Sequence, residues 1–434
     1  MIDSKVLAGY RADRERRRAA DERLARLADE AWERFAAGGF PVSRRGSELW
    51  KYTNPSELNT LAFRAARPAA VEREWLEREC PWHDGWITVV LVDGVFQPQL
   101  SRLPAGGAVD VRPLADAPEL VEAHFGGLAD AARDQFCALN TAFAADGVAV
   151  RVAGGAGAAT VQVLNVTSLD SAPSAGCPRL LMVLEEGATC NLIESFINGS
   201  GAPHLTAAVS ELVLKQGANL THRRVQLERG DSFHAGMVRV RQAGDTKFDS
   251  LSYASAPKMG RYDLHVALEA PGGECRIQGL YLTTGEQHQS NEIGTTHSTP
   301  HCTSEQFFKG VLSGRSQAVF SGKVIVKPGA IKTEAAQKDL NLLLSRGAEI
   351  DTKPSLEIYA DDVVCGHGAT AGHIDPAALF YMRSRGIDEL AAMTLLANGF
   401  ASEIVDQFED DHLRKYLERR NSAVMNALLE QAEL

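Results

Sequence analysis

Hydrophobic and polar positions change period twice along this 434-residue chain. In residues 5–37, Leu24, Leu27, Ala28, Ala31 and Phe35 recur at three- and four-residue spacing. That is the period of an amphipathic helix, and Gly38-Gly39 stops it. A turn-rich stretch around Arg44–Thr53 follows. Residues 86–100, WITVVLVDGVFQPQL, predict a hairpin: a strand, an Asp-Gly turn and a second strand. Residues 117–146 return to a helical pattern.

From about 148 to 364 short β-rich runs alternate with glycine turns, and almost no helical period survives. Similar turns recur at Glu186-Gly187-Ala188, Gln216-Gly217-Ala218, Ala243-Gly244-Asp245, Gly272-Gly273-Glu274, Pro328-Gly329-Ala330 and Arg346-Gly347-Ala348. Glycines 187, 217, 244 and 273 are 30, 27 and 29 residues apart, and 273 to 329 is 56, close to two such steps. A strand–turn–strand unit near that period favours a β-solenoid whose coils share one core, over a β-sandwich with regular turns.

The last 60 or so residues read as helical. Asp375-Pro376 is an N-cap and first-position pair, and Gly386 ends that helix. Ile387, Leu390, Leu395, Phe400, Ile404 and Phe408 then form a broad apolar stripe, and the charged run Glu409–Arg420 continues as a further helix. The chain therefore divides into an N-terminal helical and mixed region (1–147), a β core (148–370) and a C-terminal helical region (371–434).

Composition narrows the function classes. An apolar fraction of 44% is ample for a buried core. The net charge of −11 argues against a general nucleic-acid binder. The basic run Arg14–Arg18 is followed by Asp21, Glu22, Asp29 and Glu30, the mixed signs of a solvated helix face. Seven scattered cysteines without a CxxC pair suit reduced thiols rather than a disulfide framework. The start of the chain has no apolar signal core, and runs such as Ile87–Val92 are too short to cross a bilayer. The expectation is a cytoplasmic protein with neither nucleic acid nor membrane as partner.

Familiar catalytic motifs are missing. Ser321-Gly322-Lys323-Val324 lacks the hydroxyl and the upstream glycine of a P-loop, and no GxSxG elbow or HExxH helix occurs. Gly154-Gly155-Ala156-Gly157 is followed by strand-like residues where phosphate binding needs a helix, so it reads as a turn. His297, His301 and Cys302, with His288 upstream, could meet a transition metal only if a tight turn at Pro300 gathered them. Buried, hydrogen-bonded histidines are the better expectation there. Cys365 and His367 are different. Residues two apart on a strand share a face, so thiol and imidazole could approach one metal or iron–sulfur cluster. Two ligands do not close a site, and a structural strand-to-helix corner stays open as the alternative reading.

A run of longer motifs then gives the chain a relationship. Glu48-Leu-Trp-Lys-Tyr-Thr53, Phe136-Cys-Ala-Leu-Asn140 with Asp146-Gly147, and Ser304-Glu-Gln-Phe-Phe-Lys-Gly310 occur in order. They are followed by Gln337–Leu344, Leu356–Val363, Cys365-Gly-His-Gly-Ala-Thr-Ala-Gly372 and Leu379–Ile387. Together they resemble the SufB/SufD family of SUF iron–sulfur cluster assembly scaffolds over nearly the whole chain. Gly366-His367-Gly368 stands where the B type carries Glu-His-Glu, and Lys338-Asp339-Leu340 where it carries a cysteine, so the resemblance is to the D type. Members commonly have Ser before the motif histidine, where this chain has Gly366.

The resemblance implies a right-handed parallel β-helix between helical regions, and a non-catalytic scaffold subunit paired with SufB. It implies that His367 helps to hold a transient iron–sulfur cluster shared with SufB, with Cys365 as an accessory thiol and no cofactor permanently bound to the chain alone. It also implies that the C-terminal helices dock the ATPase SufC, through Leu379, Phe380, Tyr381, Arg385, Gly386, Ile387, Leu395 and Phe400. The isolated chain could instead pair with a second copy. Two other readings are a β-helix enzyme acting on polysaccharide, which the acidic residues of 148–364 are not clustered to support, and a homodimeric metal binder using His297, His301 and Cys302.

Overall fold

The computed structural model describes residues 2–15, 21–43, 48–65, 71–104, 106–155, 157–168, 173–199 and 201–432. Strands alternate between two sheets, and each inner strand of the solenoid pairs in parallel with the strand one coil before it and one coil after it. The first sheet ends in Met259–Leu268, His288–His297, Gln317–Val326 and Glu349–Ile358. The second ends in Lys247–Ser255, Glu274–Thr283, Thr303–Leu312, Glu334–Leu343 and Val364–Gly372. In the second sheet Lys247, Glu274, Thr303, Glu334 and Val364 stand in register, at steps of 27, 29, 31 and 30 residues. This is a parallel β-solenoid. A sandwich with hairpin turns would need antiparallel neighbours.

One turn of every coil is held by a residue with positive φ: Gly187, Gly217, Asp245, Gly272, His301, Lys332 and Asp362. Each except Asp362, which lies in the last coil, donates its N–H to a carbonyl in the turn of the next coil, as in Gly187 N–H to Gln216 O and Asp245 N–H to Pro271 O. The glycine period read from the sequence is thus real but shifted by one residue at Asp245, not Gly244, and at Gly272, not Gly273. Gly273 is needed for room rather than torsion, because a Cβ there would lie 2.6 Å from Leu268. Gly154-Gly155 is a turn before the strand Ala159–Thr167, as expected; Ala156 lies outside the described residues.

The N-terminal helical period is two helices, Ser4–Glu15 and Glu22–Gly38, not one. Asp21 caps the second by accepting the Leu24 N–H, and Gly39 (φ 65°) closes it. Much of the basic run, from Arg16 on, lies outside the described residues, while Arg14 pairs with Asp29. The hairpin forms with Leu91 opposite Phe96, and Asp93 and Gly94 supply the two positive φ values of its turn. Its first strand, Ile87–Val92, also pairs in parallel with Ala159–Thr167 and so extends the second sheet.

Helices cover the outer faces of the solenoid. Tyr10, Trp32, Phe35, Trp50 and Phe136 pack on Leu205, Phe233 and Met259 of the first sheet. At the other end of the chain Pro376–Ser384, Glu389–Val405 and Asp411–Glu430 are helical. Their Ala397, Ala401, Ile404, Leu417 and Leu428 pack on Leu251, Leu280, Leu282 and Val311 of the second sheet. The apolar stripe is accordingly divided. Ile404 and Phe408 are buried, whereas Leu390 and Leu395 face out. Among the described residues no helix is long and apolar enough to cross a membrane.

Candidate functional site at the open end of the solenoid

The C-terminal helices fold back along the side of the solenoid, and its end is left uncovered. Inner coils bury nearly every inward side chain, but Glu349–Ile358 and Val364–Gly372 are mostly exposed or half-buried. Within the described residues each pairs with a strand on one side only, so its other edge carries unpaired backbone groups. Gly366 and Gly368 do not break the strand, which runs on to Gly372.

Cys365 and His367 share a face, and that face looks into the core. Cys365 stands in register with Ala335, Ser304, Cys275 and Phe248, all buried. His367 stands in register with Gln337, Gln306, Ile277 and Ser250, also all buried. Both are core positions that surface because the solenoid ends there. Cys365 packs against the cluster of Val324, Val326 and Ala335, and burial raises its thiol pKa above the ordinary value. His367 is exposed. A groove over the outer face of the second sheet, lined by Asp249, Arg276, Glu305 and Ala336, reaches Cys365 and Gly366.

The coil beneath holds an acid. Asp339 is buried and accepts hydrogen bonds from Tyr281 Oη (3.3 Å) and Asn341 Nδ2 (2.7 Å). Burial pushes its pKa up to about 6.

The second histidine-rich place does not converge. His297 is buried with Nε2 2.8 Å from Ser304 Oγ, and His288 Nε2 lies 2.9 Å from Thr53 Oγ1. His301 sits exposed on a positive-φ turn, and Cys302 is buried. Among the described residues no three His, Cys, Asp or Glu side chains are grouped to hold a metal.

The eight positions assigned to ATPase docking do not share one surface. Phe380, Tyr381, Arg385, Gly386 and Leu395 are exposed and Ile387 is half-buried. Leu379 is buried. Phe400 turns toward the solenoid, where Lys309 Nζ lies 4.2 Å from its ring and donates to its carbonyl at 2.9 Å.

Sequence reasoning missed a buried polar run inside the solenoid. His222 bridges Ser250 Oγ (3.0 Å) and Glu194 Oε2 (2.9 Å), while His234 contacts Glu228 and Arg224. Burial alone would raise the Glu194 pKa, but bonds from His222 and Ser210 hold it below the usual carboxylate value. The signal was available as His222, Arg224 and Gln226, alternate polar residues on one strand face.

Fold and site define a solenoid scaffold whose core columns are laid bare at one end, beside helices that carry an exposed apolar patch. The chain belongs to the SufBD family of the SUF iron–sulfur cluster assembly system. Residues 7–163 match the SufBD protein N-terminal region and residues 166–400 the SufBD core domain of SUF system FeS cluster assembly. An iron–sulfur cluster assembly SufBD family protein of Synechocystis is 31% identical over 389 residues, 85% of this chain and 84% of that protein. Escherichia coli SufD is 34% identical over 232 residues, 54% of this chain and 55% of that protein. The chloroplastic protein ABCI7 of Arabidopsis is 31% identical over 239 residues, 55% of this chain and 50% of that protein. The last two matches thus span about half of each relative.

Proposed function

We propose that this chain is the D-type scaffold subunit of a cytoplasmic SUF complex and pairs with SufB through its bare end. The observation that carries this reading is the placement of His367, a core-facing position exposed on an edge strand. Unpaired edge groups accept a further strand, so a second solenoid can continue both sheets. His367 then lies between two chains and supplies one ligand to a nascent iron–sulfur cluster, the cargo of the complex. The lack of a three-ligand group in the described residues supports a half site completed by SufB. Cys365 is secondary, since its side chain is half-buried against Val324, Val326 and Ala335, whereas His367 is exposed.

SufC docks on the exposed patch of Phe380, Tyr381 and Leu395, with Arg385, Gly386 and Ile387 beside it. Dimerisation of ATP-bound SufC is passed through these helices to the paired end. That coupling requires ATP-bound SufC to favour one scaffold arrangement over the other.

Co-purification with SufB and SufC, followed by anaerobic reconstitution, tests the reading. His367→Ala is expected to leave the complex assembled and to lower cluster yield at least about tenfold. A normal yield removes His367 from the site. Phe380→Asp with Tyr381→Ser should lose SufC while keeping SufB and the thermal midpoint, because both side chains are exposed. Without SufB the same end is open to a second copy, so the isolated chain should sediment as a dimer that SufB displaces. If SufB binds but leaves the open end accessible to solvent exchange, the end-to-end arrangement falls.

A further inference from the structure

Directly beneath His367, one coil down and on the same face, lies Gln337, which is 3% exposed. Its Nε2 donates to Gln306 Oε1 at 3.0 Å, and Gln306 Nε2 donates in turn to Thr295 Oγ1 at 3.1 Å across the core. The two amides form a polarised ladder in which each N–H points back into the solenoid. The carbonyl end of that ladder, Gln337 Oε1, is buried and has no hydrogen-bond partner. A buried unpaired acceptor is rare and marks a missing donor. The side chain of His367, the register neighbour on the open side, forms no hydrogen bond within the described residues, and its ring can donate an N–H. The opposite wall is shaped for the amide. Gly322 faces Gln337, and a Cβ there would stand 3.0 Å from Gln337 Nε2.

We infer that Gln337 is a positioning residue for His367: its Oε1 accepts one imidazole N–H once the end of the solenoid is covered. The inference rests on the reading of His367 as a cluster ligand. A neutral imidazole has one N–H and one lone pair. Donating the N–H inward to Gln337 leaves the lone pair on the other nitrogen, directed out of the coil toward the paired subunit. Ligating histidines are held by such a second acceptor, which fixes tautomer and ring orientation. Amide orientation follows from the ladder, because a flipped Gln337 alone would set its oxygen against Gln306 Oε1.

The test uses the full complex with SufB and SufC, this chain carrying ¹⁵N-labelled histidine, at a pH where imidazoles are neutral. A difference spectrum against His367→Ala assigns the His367 ring nitrogens by solid-state NMR. Wild type is expected to show one tautomer. Gln337→Met, similar in length but with no acceptor, should show a mixture of both, with cluster yield lower by about tenfold. Gln337→Glu keeps an acceptor toward His367 once Gln306 turns its amide to donate to the other carboxylate oxygen and accept from the Thr295 hydroxyl, and it should keep the wild-type tautomer and a yield within about twofold. Two outcomes overturn the inference: an unchanged tautomer in Gln337→Met, or a reversed tautomer in Gln337→Glu. If His367→Ala builds clusters normally, the ligand reading fails separately, and the tautomer data still decide whether Gln337 holds the ring.

Discussion

Burial presses the pKa of four solenoid histidines, His204, His265, His288 and His297, down to about 4. In the unfolded chain these groups titrate near 6.5, so the unfolded state takes up their protons first as pH falls. Their contribution to stability is complete above pH 6.5 and is lost progressively between 6.5 and 4. For His204 and His297, the two that are buried, that is about 1.4 kcal/mol per pH unit each. Asp339 acts in the opposite sense, since a carboxyl raised to about 6 contributes stability at low pH that is lost as pH rises from about 4 to 6. His297→Gln should therefore flatten the acid side of the stability profile by about one proton, measured by urea unfolding from pH 7 to 4.5. An unchanged slope would rule out a neutral, buried His297 as the source. The sequence already favoured buried histidines here, because four residues of strand separate His297 from His301 too widely for one ligand set. It could not show that His301 would occupy a left-handed turn, since glycine or aspartate holds that place in every other coil but that of Lys332.

At the scale of elements, the joint between the second sheet and the helix Glu389–Val405 is pinned by one lysine within its apolar packing. Lys309 is buried on the strand Thr303–Leu312, where it donates to the Phe400 carbonyl, pairs with Glu403 and lies over the Phe400 ring. Lys309→Ala leaves that carbonyl and carboxylate without their donor and removes a cation–π contact. The expected loss is about 1–3 kcal/mol. Hydrogen exchange should rise in residues 389–405 and stay unchanged in the inner coils; a uniform rise would refute a local pin. The helices themselves were legible, with Asp375 capping through the Ala377 N–H and Asp410 through those of His412 and Leu413. Which face of Glu389–Val405 is covered was not, because its apolar residues spread around the helix and only the docked partner selects among them.

For the whole molecule, the N-terminal region is fastened to the solenoid by an ion pair with no exposure on either side chain, Arg179 with Glu211. Glu211 also accepts the N–H groups of Gly126 (2.9 Å), Leu128 (2.9 Å) and Ala129 (3.1 Å). Arg179 reaches Asn140 Oδ1 and lies 4.2 Å from the Phe125 ring centroid. Glu211→Ala strands a buried guanidinium and three backbone donors together. It should cost about 3–5 kcal/mol in chemical denaturation, more than any exposed ion pair of the chain. A loss below about 1 kcal/mol would show that water or rearrangement replaces the carboxylate. Nothing in the sequence pointed to this pair, since Arg179 and Glu211 belong to neighbouring coils that only the folded register sets side by side.

By itself the sequence determined the local and repeating features. Strand alternation, caps and a near-30-residue turn period are short-range, and they favour the solenoid over a sandwich and give its helical flanks and the common face of Cys365 and His367. The family motifs are likewise read along the chain. Only the tertiary structure decided that this face looks inward, that Gln337 and Gln306 stack beneath His367, and that the C-terminal helices pack along the side and leave the last coil bare. Those outcomes depend on non-local register and on competition for the outer face of the second sheet, settled by contacts such as Lys309 with Phe400. The same inward position is a buried glutamine in one coil and an exposed histidine in the next, because no further coil covers it.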